Sequence, residues 1–241
     1  MLASINLEKC LARVKSKYEA GDKNLTEFRP SITLSPMTGT GGDVVAVKLM
    51  DYLQHHAPPG CHWSIFDKNL MTKVLEEHGL SEMMADSLPE TKEPLVTQLL
   101  NKLRTGHPSA SKIVELAVET VWKLAMGGYV IIVGRAANVV TAELINVFHV
   151  RLVGSLSSRV ENTKSSYHYD HRTATEVVKT EDEEKRQYMK EYFGQDIDDP
   201  ELYHIMVNTD RIPADSTAHL IGNAFLNWLK PTKSELAAKT K

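Results

Sequence analysis

Residues 31–43, Ser-Ile-Thr-Leu-Ser-Pro-Met-Thr-Gly-Thr-Gly-Gly-Asp, constrain the fold more than any other stretch. Ile32 and Leu34 alternate with polar residues as in a short strand, and Pro36, Gly39, Gly41 and Gly42 close that strand in a tight loop. Val45, Leu49 and Leu53, with Ala46 and Met50 beside them, recur at three- and four-residue spacing, which predicts a helix over 44–55. Strand, glycine-rich loop and helix N-terminus in succession make an anion site, because unpaired backbone N–H groups and the positive end of the helix dipole face one point. Two readings stand: a phosphate cradle, or a glycine-rich turn between strand and helix.

The spelling does not decide between them. Against the phosphate-loop pattern G-x-x-x-x-G-K-[ST], aligned on Gly41, Ser35 replaces the first glycine, Gly42 the lysine and Asp43 the hydroxyl residue. Against the dinucleotide pattern G-x-G-x-x-G, Gly39 and Gly41 match but Val44 stands in the third place.

With 241 residues and 42% hydrophobic content, the chain is long enough for one large α/β domain with appendages. Twenty-eight Lys and Arg against 31 Asp and Glu leave a net charge of −3, which argues against a general nucleic-acid binder and leaves room for a small phosphate ligand. Cys10 and Cys61 are too few for a disulfide framework or a four-cysteine zinc site. No run of about 18 apolar residues and no signal-peptide core occur, so a soluble cytoplasmic protein without membrane association is expected.

Residues 1–30 read as an accessory helix with Ile5, Leu7, Leu11 and Val14 on one stripe; packing on the core and a homo-oligomer contact are both compatible with it. A short strand is expected around Ile65, then a helix capped by Asp67 or Asn69 and ending near Gly79. Pro89, Pro94 and Pro108 break the following stretch into short helices and loops. A long helix opens at Ser111 and stops at Gly127-Gly128. The apolar runs 129–133, 147–153 and 205–207 read as strands. Residues 155–194, where basic and acidic side chains alternate, read as a mobile helical lid, with a capping box from Thr173 to Glu176 and Gly194 as its stop. A solvated helix pair with intrahelical ion pairs is the competing reading. The last helix, 215–229, is expected to turn Leu220, Ile221, Ala224, Phe225 and Trp228 inward. Strands separated by long helices argue for a mostly parallel sheet covered on both faces.

Six stretches in order resemble the cytidylate kinase-like family, a branch of the nucleoside monophosphate kinases: 32–46, 66–68, 133–139, 159–161, 182–194, and 199–203 through 208–211. The resemblance implies a three-layer P-loop α/β fold over 31–229, with a helical acceptor-side insertion at about 68–110, the lid at 155–194 and a flexible basic tail at 230–241. It implies small-molecule nucleotides as partners, with ATP and Mg²⁺. Ser35, Gly39, Thr40, Gly41, Gly42 and Asp43 would hold the donor phosphates. Arg135 would reach the acceptor phosphate with Asp67 and Asn138 nearby, since a guanidinium pairs bidentately with phosphate oxygens. Arg159 and Lys185 would act on the transferring group from the lid, and Asp210 and Arg211 would lie near the donor base.

The departures are as informative. Gly42 occupies the usual lysine position, and Asp43 can favour the helix dipole, bind metal or repel phosphate. The leading expectation is a Mg²⁺-dependent nucleoside monophosphate kinase of CMP or dCMP type. The alternative is a regulatory protein that binds a nucleotide or another anion without turnover, and a nicotinamide-dependent oxidoreductase is more distant. His168 and His171, at i, i+3 with Asp170 between them, could ligate one ion, but they lie in the polar segment assigned to the lid and are read as solvated side chains and assigned to no metal.

Overall fold

The computed structural model describes residues 28–56, 61–67, 110–134 and 136–230. The expected accessory helix, the helix after Asp67, the proline-broken insertion, Arg135 and the basic tail lie outside the described residues.

Among the described residues five strands form one sheet: β1 (Ser31–Pro36), β2 (Ser64–Phe66), β3 (Val130–Val133), β4 (Val147–Val153) and β5 (Ile205–Asn208). Their order is β2-β3-β1-β4-β5 and every pairing is parallel. Parallel neighbours need helical crossovers, and these cover both faces. Helices α1 (Gly42–His56) and α6 (Ala214–Trp228) pack on one face, against Ile32, Leu34, Phe148, Val150, Leu152 and Val207. Helix α2 (Ala110–Gly127), the short α3 (Ala137–Val140) and the end of α5 (His171–Phe193) cover the other, over Val130, Ile132 and Val147. Helix α4 (Leu156–Tyr167) pairs with α5 through Val160, Ala174 and Val178. The fold is therefore the α/β architecture expected from the sequence.

The second face is not uniformly apolar. Ser31, Thr33 and Ser35 of β1 share it with His149 and Arg151 of β4, by the register Thr33↔His149 and Ser35↔Arg151. Each hydroxyl has its own partner: Ser31 donates to the Ala125 carbonyl at 3.0 Å, Thr33 Oγ1 lies 2.8 Å from His149 Nδ1, and Ser35 Oγ accepts from Arg151 Nη1 at 3.3 Å. Pairing keeps the cost of burying this polar stripe low.

Two local expectations change. Helix α5 begins at His171, with the Asp170 carboxylate accepting from the Thr173 amide at 2.8 Å, so Asp170 is the cap; Glu176 instead accepts from Arg172. Asp170 is the stronger cap because its carboxylate also accepts from the Thr173 hydroxyl. In α6, Leu220 is 40% exposed, while Thr217, Ala218, Ile221, Gly222 and Phe225 are buried. The phase is set by close approach to α1: a Cβ on Gly222 would lie 2.3 Å from the Tyr52 ring. Among the described residues no helix is long and apolar enough to cross a membrane.

Candidate functional site

The loop between β1 and α1 is shaped by its glycines. Gly39 and Gly41 adopt φ of +82° and +73°, values that a residue with a side chain reaches only under strain. At Gly39 a Cβ would also lie 2.3 Å from the Arg159 carbonyl oxygen, so the bare backbone lets the loop rest on α4. The Val45 amide donates to the Gly41 carbonyl at 3.0 Å, so the loop turns directly into the first turn of α1, whose N-terminal end faces the loop.

These groups border a cavity of about 550 Å³. Gly39, Gly41, Gly42 and Asp43 line it from the loop, Asp67 from the end of β2, and Lys185 and Glu181 from α5. Lys185 Nζ lies 2.9 Å from Thr38 Oγ1 and 3.5 Å from the Pro36 carbonyl, which sets an ammonium beside a loop that has none of its own. Gly42 cannot gain a side chain cheaply, because its Cβ would meet the Pro36 ring at 2.7 Å.

Behind the loop, Arg159 is 6% exposed. Its Nε donates to the Gly154 carbonyl at 3.0 Å, its Nη1 to the Thr38 carbonyl at 2.9 Å, and it is ion-paired with Asp182. The same carboxylate accepts from the Thr38 amide at 2.9 Å, and Glu181 accepts from the Thr38 hydroxyl at 3.1 Å. Asn162 of α4 donates to the Gly39 carbonyl at 3.0 Å. Helices α4 and α5 thus grip the loop at two successive residues, Thr38 and Gly39.

The remaining expected site residues are dispersed. Thr40 is buried and folds its hydroxyl back to the Met37 carbonyl at 2.7 Å. Ser35 turns to Arg151 on the sheet face, away from the cavity lining. Asn138 lines a different cavity, beside Tyr203. Asp210 accepts from the Ser155 amide at 2.8 Å, which ties the start of α4 to the turn after β5 and holds its carboxyl below the usual range. Arg211 is exposed on that turn. Asp170 and His171 are engaged as helix cap and Glu161 partner, and among the described residues no group of three or more potential ligands gathers for a metal ion.

Several contributors escaped sequence reasoning. Asn162, Thr163, Ser166 and Tyr167 all line the cavity, and with Arg159 they fall at three- and four-residue spacing on one face of α4. That polar periodicity was the available signal. Burial, followed by the charges of Asp43 and Glu181, pushes the Tyr167 hydroxyl above its ordinary value, so both carboxylates act on the same corner of the cavity.

Among solved structures, the chain is similar to an uncharacterized protein from Eubacterium ventriosum ATCC 27560, with TM-score 0.57 and 17% identity over 83% of this chain and 99% of that one. It also matches a gluconokinase from Sinorhizobium meliloti 1021, with TM-score 0.49 and 12% identity over 89% of this chain and 99% of that one. At these identities the first likeness shows a shared fold. No curated protein matches the chain. The model of the Cytidylate kinase-like family matches residues 31–211, well over half of the 241 residues. The chain that builds this lysine-free loop therefore belongs to the cytidylate kinase-like family.

Proposed function

We propose that the protein is an ATP-dependent phosphotransferase acting on a nucleoside monophosphate of CMP or dCMP type, with peptide amides and Lys185 together replacing the loop lysine. The observation that carries this reading is the open cavity at the N-terminus of α1, bordered by Gly39, Gly41, Gly42 and the Lys185 ammonium. Amides at a helix start and one ammonium beside them suit the β- and γ-phosphates of a donor.

In this reading an acceptor phosphate oxygen attacks the donor's terminal phosphorus in line, and the leaving group is the donor diphosphate. The amides of Gly42, Asp43 and Val44 bind the donor chain. Lys185 offsets charge on the transferring group, the kind of contribution worth about 10²–10³ in kcat. Arg159 acts through the loop by fixing the Thr38 carbonyl. Asp67 borders the same cavity, and the acceptor phosphate is given to Arg135 by family resemblance. Asp43 and Glu181 both line the cavity and offer the hard carboxylate oxygens that suit Mg²⁺, so these two would hold the ion. When bound, the ion would neutralise charge shared between phosphates and carboxylates.

The test is a panel of nucleoside monophosphates with ATP and Mg²⁺, read as ADP release, on the native chain and on Lys185→Met. Turnover of a pyrimidine monophosphate that falls at least a hundredfold in Lys185→Met supports the reading. One observation favours a second reading: Arg159 turns its Nε and Nη1 to Asp182 and two carbonyls behind the loop, as in a protein that retains nucleotide without turning it over. ATP raising the thermal midpoint while no monophosphate yields a diphosphate would select that reading.

A further inference from the structure

The glycine loop accounts for a phosphate chain and leaves the rest of the same cavity, about 550 Å³ in all, without a role. Asp210 and Arg211, which the family resemblance puts near the donor base, are not in its wall. Beyond the loop that wall is formed by Ser166 and Tyr167 at the end of α4, Val177 of α5 and Val44 on the first turn of α1.

Tyr167 is the one aromatic side chain among the described residues of the lining, and it is 61% exposed. The ring is nonetheless held in place. Helix α4 ends at His168, whose φ of +56° turns the chain, and the Tyr169 ring lies nearly parallel to Tyr167, with 17° between planes and 5.6 Å between centroids. Tyr169 in turn packs on Val160, Ala174 and Val178, where α4 meets α5. The helix pair thus supports the Tyr167 ring from one side and leaves most of its surface to the cavity and solvent.

The surroundings of the ring differ from those of the loop. Val44, 50% exposed, and Val177 bring aliphatic surface into the lining beside it, whereas the ammonium of Lys185 stands at Thr38. A π face with aliphatic neighbours suits a flat ring, and base–aromatic stacking asks for no particular edge because every base has a π face. The charges of Asp43 and Glu181 both act on the Tyr167 hydroxyl, which keeps the ring near the start of α1 and within reach of a ligand whose phosphates lie on the loop.

We infer that Tyr167 is the platform on which the nucleobase of the bound nucleotide stacks. The inference rests on the nucleotide reading of the loop cavity and adds to it the surface that takes the base.

Isothermal titration calorimetry on the full chain with Mg²⁺, using ATP and inorganic tripolyphosphate as the two probes, separates base from phosphates. In Tyr167→Leu the affinity for ATP is expected to fall about tenfold while that for tripolyphosphate stays unchanged. Tyr167→Phe, which keeps the ring, is expected to bind both probes as the native chain does. Position 167 is exposed, so the thermal midpoints of both variants should match the native one, which guards against misfolding. Unchanged ATP affinity in Tyr167→Leu, an equal loss for both probes, or a Tyr167→Phe variant as weak as Tyr167→Leu would each overturn the inference and leave the phosphate site standing. A native chain that binds neither probe would overturn the nucleotide reading, and the platform with it.

Discussion

His149 shows how one buried side chain sets a pH limit on the molecule. Burial, with the nearby His204, lowers its pKa from 6.5 to about 4, so the folded state binds fewer protons than the unfolded state between those values. Stability is therefore full above pH 6.5 and is lost as the pH falls toward 4, by on the order of 3 kcal/mol. Urea titrations across this window should show that slope in the native chain and a flatter one in His149→Gln; equal slopes would contradict the assignment. Asp182 makes a second prediction at this scale. Arg159 and Asp182 are 7% and 12% exposed, and removal of one partner strands a buried charge at a cost of about 3–5 kcal/mol. Asp182→Asn should lose most of that in urea unfolding, and a loss under about 1 kcal/mol, the range of exposed pairs, would show that the pair does not clamp the loop.

The elements were legible where one periodicity dominated. Phe148, Val150 and Leu152 put β4 in the core, yet the intervening His149 and Arg151, read within the same apolar run, carry a polar stripe that strand alternation already announced. In α6 Ile221 and Phe225 are buried and Ala224 and Trp228 pack against the core as expected, and Leu220 alone turns outward, because a helix packing closely on another selects Gly222 and Ala218 over bulk. The loop's glycines announced the tight turn between β1 and α1, where Gly39 and Gly41 adopt positive φ. The carboxylates that grip Thr38 were not announced, since Asp182 lies 144 positions away and only the turn of α5 brings it there. Gly42→Lys tests the loop as an element. The new Cβ collides with Pro36, so stability should fall by about 1–3 kcal/mol with no gain in ATP affinity by calorimetry. A tighter-binding, equally stable variant would show that the ring yields.

Across the whole molecule, the sheet is held between two apolar layers that meet the strands from opposite faces. Phe225 anchors one of them: it is fully buried and sits edge-on to Trp63 at 5.4 Å and to Phe148 at 5.9 Å. Phe225→Ala should cost about 3–5 kcal/mol in a single cooperative urea transition. A loss confined to α6, seen as a separate early transition, would mean that this helix is not integral to the domain. The contact between Pro36 and Gly42 also couples two positions of the chain. A side chain at position 42 and a proline ring at position 36 compete for one space, so the two positions are expected to be exchangeable together and not singly, and a Pro36→Ala, Gly42→Lys double variant should recover stability that Gly42→Lys alone loses.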